Sequence, residues 1–370
     1  MHVVCEKNTL AAALSLVQRA VAVKSPLPTL KGILLETEED GLIFSATDLD
    51  FGIRCRIKNQ VLEHGAIVLP AKILTEFVRR LPEGLVTIQT DPENALKATV
   101  SCAGIKFELS GFSAAEFPSL AEVSASASKI EIEEGLLKEM LTQTEVAVAR
   151  DETRPVLTGL LLEAEADKLK FVATDGHRLA FRQAQANQGL QLKAIIPGKA
   201  VQEVIKILED SPDKNAIIYL DNSNIVFAMD EITLSSRLVE GKYPPYQQII
   251  PSDFKTSLVV ETANMRAALE RAEIIVKEGG NNLVKLDVDG GGIKVLAVNQ
   301  DVGSSEDYVQ ASVEGEPLEI RFNVRLLLDC FRNIKDQQVN IDLTGPFSPC
   351  MIRPVQNHNY LHLVLPVRIS

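Results

Sequence analysis

The sequence predicts an α+β protein of three similar domains, each with two helices packed on antiparallel sheets. A long internal repeat predicts the three domains. Residues 30–50 read LKGILLETEEDGLIFSATDLD and residues 157–178 read LTGLLLEAEADKLKFVATDGHR. Gly32, Leu34, Leu35, Glu36, Phe44, Ala46, Thr47 and Asp48 return 127 positions later as Gly159, Leu161, Leu162, Glu163, Phe171, Ala173, Thr174 and Asp175. A fainter copy, VKLDVDGGGIKVLAVNQD, fills 284–301. Such a period is domain size, since solenoid units run about 20–50 residues. The units tile the chain as 1–127, 128–254 and 255–370. Two short amphipathic stretches in each unit predict the helices, and period-two apolar alternation predicts the sheets.

In the first unit, Leu10, Leu14, Val17 and Val21 place a helical stripe on 8–23, with Asn8 or Thr9 as its cap. The matching helices are 135–149 and 264–277. Strands follow at 30–37 and 41–47, around the acidic turn at 38–40, and again at 157–163 and 168–174. Pro70 opens a second helix, 71–81, with Ile73, Leu74, Phe77, Val78 and Leu81 on one side; Pro197 recurs 127 positions on. The equivalents of this helix are 199–208 and 324–334. Strands such as 86–89, 217–220 and 339–343 close each unit. Helices this short must lie on one face of a sheet to bury their stripes.

Composition bounds the function. Apolar residues make up 46% of the chain, there is no Trp, and no apolar run approaches the roughly 18–20 residues of a membrane span. The start, MHVVCEKNTL, lacks the basic-then-apolar pattern of a signal peptide. Cys5, Cys55, Cys102, Cys330 and Cys350 are odd in number and form no CxxC, which suits buried thiols in a reducing cytoplasm. The net charge of −12 argues against nucleic acid if read alone, because phosphate contacts need Lys and Arg. Asp175 and His177 invite an acid–base reading. No nucleophile or phosphate loop joins them, and Asp48 repeats the aspartate in unit one, so Asp175 reads as a turn residue. His358, His362 and Cys350 lack a zinc-site pattern. No catalytic residue, metal or cofactor is expected.

Five segments carry a resemblance: ATDGHRLAF at 173–181, GKYPPYQQIIP at 241–251, LPTLKGILL at 27–35, AAEFPSL at 114–120 and LPVRI at 365–369. Together with the three-unit layout, they resemble the bacterial DNA polymerase III beta subunit family, the sliding clamps, along the whole chain. The resemblance implies a DNA clamp fold. It also implies a head-to-tail homodimer that closes six domains into a ring around double-stranded DNA without sequence preference. Twelve helices of about 10 Å width give an inner circumference of roughly 120 Å, wide enough for a duplex. Such a ring needs a basic inner wall, not a basic protein. The resemblance implies a non-catalytic processivity factor for DNA replication. Its partners would be the polymerase III alpha subunit, the clamp loader, and other polymerases and repair proteins that bind through short peptides.

The same resemblance assigns residues. DNA contacts would come from Lys24, Arg79, Arg80, Arg150, Arg154 and Lys199. The family has tyrosines where Pro155 and Val156 stand, so aromatic contacts to DNA are not implied there. The partner-peptide pocket maps onto Leu157, Thr174, Gly176, His177, Arg178, Leu179, Pro244, Gln248, Ile249, Val364, Leu365, Pro366, Val367, Arg368 and Ile369. Gln247 and Gln248 replace a frequent basic pair, and Ser370 extends the usual end. The tail reads equally well as an edge strand on the last sheet. The dimer interface maps onto Lys106, Phe107 and Leu109 of one chain. They would meet Ile274, Ile275 and the acidic Asp301, Glu306 and Asp307 of the other. Two other classes remain open on the residues alone: an enzyme with an interdomain cleft, and a repeat-built scaffold that binds no DNA. The first would need a convergent catalytic set; the second would lack a basic channel.

Overall fold

The computed structural model describes residues 1–278, 280 and 282–368. Among the described residues six α-helices form: α1 (Lys7–Val17), α2 (Ala71–Arg80), α3 (Glu134–Glu145), α4 (Gly198–Ile207), α5 (Thr262–Glu278) and α6 (Val324–Arg332). Each repeat therefore contributes two, at the places the periodicity predicts. None is long and apolar enough to cross a membrane. The chain divides into two compact units, 1–135 with 206–238 and 136–205 with 239–370.

In the first unit, a five-stranded antiparallel sheet runs Gln60–Glu63, His2–Glu6, Leu85–Thr90, Lys97–Cys102, Ile105–Ser110. An eight-stranded sheet runs Ser128–Glu133, Asn215–Leu220, Asn224–Met229, Ile232–Arg237, Phe51–Lys58, Gly41–Thr47, Gly32–Glu38, Ala66–Pro70. The second unit carries one ten-stranded sheet from Gly159–Thr174 through Arg178–Pro197, Tyr360–Val364, Cys350–Pro354, Gln338–Leu343, Thr256–Glu261, Gly303–Gly315, Gly292–Asn299 and Leu283–Val288 to Leu318–Asn323. The repeat borders explain why there are two units and not three. Ile232–Ser236 pairs with Phe51–Cys55, and Tyr360–Val364 pairs with Arg178–Arg182. The middle repeat thus gives strands to both neighbours.

The helices bury apolar stripes, although Val21 of the first expected stripe lies beyond α1. Leu10, Ala13, Leu14 and Val17 of α1 are inaccessible, as are Met265, Ala268, Leu269, Ala272 and Val276 of α5. In α2, Leu74 and Val78 are buried, but Ile73 is half exposed, which narrows the expected stripe. Asn323 caps α6 by accepting a hydrogen bond from the Arg325 amide at 3.0 Å. Two helices stop short of their sequence-read ends for the same reason. After α1, Val21 turns extended and the Ala22 amide donates to the Leu30 carbonyl at 3.0 Å. After α3, the Ala149 amide donates to the Leu157 carbonyl at 2.9 Å. These bonds, 127 residues apart, draw the chain back into a loop in both repeats and place Lys24 and Arg150–Arg154 on the loops.

The repeated glycines at the strand starts serve close approach. A Cβ on Gly32 would lie 2.4 Å from Val68 Cγ1, and one on Gly159 2.5 Å from Ile195 Cγ2. Both lie opposite the proline that precedes a helix, Pro70 and Pro197. Gly159→Val should therefore destabilise the protein by about 1–3 kcal/mol through overpacking. A lowered urea midpoint, against no change for Glu165→Val on the exposed strand, checks this.

Candidate functional site

The segment Thr174–Leu179 is a side-chain-built turn between two long strands. Thr174 Oγ1 donates to the Arg178 carbonyl at 2.6 Å and accepts from the Gly176 amide at 3.1 Å. Asp175 Oδ1 accepts from the His177 and Arg178 amides at 2.8 and 3.0 Å. Asp175 is thus a turn former, as read. Its other oxygen accepts from Arg178 Nε at 3.0 Å, and Arg178 Nη1 donates to Asp329 Oδ2 at 2.7 Å. Held between two carboxylates and 10% exposed, the Arg178 side chain is a structural tie for the turn.

Against this turn lies the C-terminal segment. The Leu365 amide donates to the His177 carbonyl at 2.8 Å, and the Val367 amide to the Arg321 carbonyl at 2.8 Å. Beneath them Leu157, Leu179, Tyr243, Tyr246, Met351 and Leu363 form one buried apolar cluster. The Thr174 amide donates to the Tyr243 hydroxyl at 3.1 Å, and the Tyr246 hydroxyl donates to Glu163 Oε2 at 2.7 Å. Burial pushes both phenols above their ordinary pKa, so they stay neutral. The rim is accessible: Leu365 and Val367 are each 40% exposed and Ile249 50%. Gly176, His177, Pro244, Gln248 and Arg368 are exposed, and Pro366 is partly so. The result is a buried apolar floor with an exposed rim rich in aliphatic side chains.

Most of the sequence-assigned pocket residues converge here. Val364 does not: it packs in the separate core of the last repeat, with Cys350 and Tyr360. The floor residue is its neighbour Leu363. The signal for this was available, since Leu361, Leu363 and Leu365 alternate in a strand and share one side. Ile369 and Ser370 lie outside the described residues.

A buried polar group underlies the same region. His362 is fully buried, and its Nε2 lies 2.6 Å from the Tyr360 hydroxyl. Its Nδ1 has no hydrogen-bond partner. Burial, aided by the Arg178 charge, lowers its pKa to about 3. Arg182, also buried, donates from Nε to Gln143 Oε1 at 2.9 Å and from Nη1 to the Gln183 carbonyl at 2.8 Å.

The basic residues fall in two sets. In the first unit, Lys24 is exposed on its loop, Arg79 Nη2 donates to Ser15 Oγ at 3.0 Å, and Arg80 pairs with Glu76 at 3.4 Å. In the second unit, Arg150 and Lys199 line a cavity of about 210 Å³ with Glu145, Gln202 and Asp329. Arg154 is brought elsewhere. Its Nη2 donates to the Asp175 carbonyl at 3.2 Å and lies 2.9 Å from where a Gly176 Cβ would be. It therefore belongs to the rim of the apolar site.

The residues assigned to dimerisation lie on two open sheet edges. Ile105–Ser110 is the edge of the five-stranded sheet and pairs only with Lys97–Cys102 among the described residues. Gly303–Gln310 pairs with Gly292–Asn299, while Ala311–Gly315 leaves to pair with Thr256–Val260. The outer side of 303–310 is therefore unpaired among the described residues. Phe107 stacks on Phe77, with centroids 4.3 Å apart, and Leu109 is buried. Phe77 and the exposed Ile73 one turn away extend this apolar face. Ile274 is 67% exposed, whereas Ile275 packs on the core. Of the acidic residues, Asp301 is exposed. Glu306 pairs with Lys294 at 3.2 Å and Asp307 with Arg271 at 2.5 Å.

Comparison with known proteins is uniform. Models of the DNA polymerase III beta subunit match its N-terminal domain to residues 1–121, its central domain to 131–245 and its C-terminal domain to 247–368. The chain is 35% identical to the beta sliding clamp of Synechococcus elongatus and 31% identical to that of Bacillus subtilis, over all of each chain. Among solved structures, the Bacillus subtilis DNA polymerase sliding clamp superposes with a TM-score of 0.95 at 31% identity. A Pseudomonas aeruginosa sliding clamp bound to griselimycin superposes with a TM-score of 0.93 at 30% identity. Both comparisons cover 100% of each chain.

The buried His362 makes stability depend on pH. Its folded pKa, about 3, lies below the ordinary value of 6.5, so the unfolded chain binds the extra proton between them. Its contribution is complete above pH 6.5 and falls by about 1.4 kcal/mol per pH unit as pH drops toward 3. Urea midpoints measured from pH 7 to 4 should fall less steeply for His362→Phe than for the native chain. Equal slopes would remove His362 as the cause.

Proposed function

The chain belongs to the DNA polymerase III beta subunit family, the beta sliding clamps, and on that footing we propose that two copies close head to tail into a ring around duplex DNA. As a member of that family it is a DNA sliding clamp, a non-catalytic processivity factor that tethers a polymerase and other partners during replication.

One observation carries the ring: the way the fourth and last strands of successive repeats pair. The last strand of the second repeat pairs with the fourth strand of the first repeat, and the last strand of the third repeat pairs with the corresponding strand of the second. The edge left over on the first repeat is Ile105–Ser110, and the one left over on the third is Gly303–Gln310. Open edges invite pairing. Joining them between two copies repeats the contact already made twice within the chain and closes the assembly. Phe107 with Leu109 and Ile274 with Ile275 supply apolar contact beside those edges. Lys106 faces a partner edge carrying Glu306 and Asp307, near Asp301. On this reading the repeats act as three domains, 1–127, 128–254 and 255–370.

Lys24, Arg79, Arg80, Arg150 and Lys199 are the proposed phosphate contacts, with Arg154 shared with the rim of the apolar site. Contacts to phosphates carry no sequence preference. A net negative chain holds the duplex by topology, with only modest attraction. The apolar site at Leu157, Leu179, Leu363 and Leu365 is the proposed dock for short peptides of the polymerase III alpha subunit, the clamp loader, and other polymerases and repair proteins. The chain carries no GxxxxGK[ST] motif, so ring opening draws on another protein's nucleotide hydrolysis. The five buried thiols suit action in a reducing cytoplasm, where the DNA lies.

Two outcomes are expected. The native protein, once loaded, should stay on closed circular duplex through a salt wash and leave after linearisation. Equal loss from circle and linear DNA would refute topological holding. Leu365→Ala should weaken a clamp-binding peptide at least about ten-fold in isothermal titration, since truncating a buried leucine costs roughly 2–5 kcal/mol and a rim site somewhat less. Sedimentation should show the variant still dimeric. Unchanged peptide affinity would remove the tail from the pocket.

A further inference from the structure

Two sets of bonds cross the same gap at the second repeat border. On one side stands the turn of the second repeat, where His177 and Arg178 are adjacent. On the other stands the third repeat's strand Leu318–Asn323, which runs directly into α6. The C-terminal segment crosses by its backbone. The Leu365 amide donates to the His177 carbonyl and the Val367 amide to the Arg321 carbonyl, each at 2.8 Å. Arg178 crosses by its side chain, from Nη1 to Asp329 Oδ2 at 2.7 Å. The accessible Leu365 and Val367 side chains of the rim stand on the first crossing.

The turn does not need the second crossing for its shape. In the first repeat, Phe51 stands in the place of Arg178, 127 positions earlier. There the Thr47 hydroxyl donates to the Phe51 carbonyl at 2.9 Å, and Asp48 Oδ1 accepts from the Phe51 amide at 2.8 Å. Thr174 and Asp175 do the same for Arg178. The same turn therefore forms around a buried phenylalanine whose side chain donates nothing. Nor is Asp329 the sole counter-charge, since Asp175 already accepts from Arg178 Nε at 3.0 Å. The Asp329 side chain is 37% exposed and lines the cavity with Arg150, Lys199 and Gln202, so it fills no core. What its bond adds is a fixed span. A charge-assisted hydrogen bond is short and directional, whereas apolar contact has no preferred direction.

We propose that Asp329 is a positioning residue for the peptide site. Through Arg178 it holds the turn of the second repeat at a set distance from the third. It thereby sets the spacing of the turn and the C-terminal segment over the buried floor of Leu157, Leu179 and Leu363. Asp329 acts through Arg178, not by touching the peptide. The inference rests on the reading of the apolar site as a peptide dock, but the span itself is measurable without any peptide.

The test is hydrogen exchange on the full chain, followed amide by amide, beside titration of a labelled clamp-binding peptide from a polymerase III alpha subunit. In Asp329→Ala the Leu365 amide, whose bond crosses between repeats, should exchange at least about ten-fold faster, the worth of a hydrogen bond to a charged group. The Val367 amide, whose bond lies within the third repeat, should keep its native rate. Peptide affinity should fall by a similar factor. Asp329→Asn keeps an acceptor oxygen and the native shape. It should show a smaller change in both readouts, and it carries the same test if the alanine variant does not fold. In an Arg178→Met background, Asp329→Ala should add nothing, because its partner is gone. An unchanged Leu365 rate overturns the span. Equal acceleration at Leu365 and Val367 would show a loss of stability, not of spacing, and overturns it too. So do additive effects of the two substitutions, or native peptide affinity in a variant whose Leu365 amide has been freed. A native chain that binds no peptide, with Leu365 responding as expected, upholds the span and overturns the dock.

Discussion

The structure depends on one backbone constraint: a strand edge must be paired, covered or charged. Each repeat carries a free edge on its fourth strand and another on its last strand. Within the chain, these edges satisfy one another across both repeat borders. Everything distinctive about the sites follows from those two joints. The turn at Thr174–Arg178 sits at the end of a joined strand. The C-terminal segment continues its partner strand past that turn and is tied to the His177 carbonyl. The apolar cluster beneath is what two joined sheet faces bury. A pocket at a border is thus a by-product of edge pairing, trimmed by local side chains.

The first border shows how much of the pocket is frame and how much is decoration. Asp48 Oδ1 accepts from the Asp50 and Phe51 amides at 3.2 and 2.8 Å, as Asp175 does in the second repeat. The Arg237 amide donates to the Asp50 carbonyl at 2.8 Å, as Leu365 does to His177. Leu49 adopts φ +85° where Gly176 adopts +90°. The turn takes its shape from Thr and Asp side chains, which hold even a leucine in the left-handed region. Gly176 relieves the left-handed strain that Leu49 bears at the equivalent place.

Much of this was legible in the sequence. The repeat gave the fold class, the two helices per unit and the turn role of Asp175, because these follow from local pattern. The helix ends at Val17 and Glu145 were not legible, since the returning loops are fixed by amides that reach Leu30 and Leu157. Arg154 was assigned to DNA, but its guanidinium is held at the apolar site by a carbonyl 21 positions away. Val364 was assigned to the pocket and Leu363 was not; Leu363 lies in the apolar floor and Val364 in the core of the last repeat, because neighbouring strand residues face opposite sides. The exposure of Ile73 shows the limit of reading a stripe on α2 without knowing which neighbours cover it.

The heterologous character of the two leftover edges has a kinetic consequence. In the proposed two-copy ring the two joints are identical, each a short pair of edge strands with a small apolar patch. When one joint breaks, the other keeps the parted edges close, and re-closure is a unimolecular event at high effective concentration. Opening at a single gate is then independent of dilution, whereas falling apart into separate chains is not. A ring built this way re-closes after one joint parts, and it persists at dilutions that would separate chains held by a single joint.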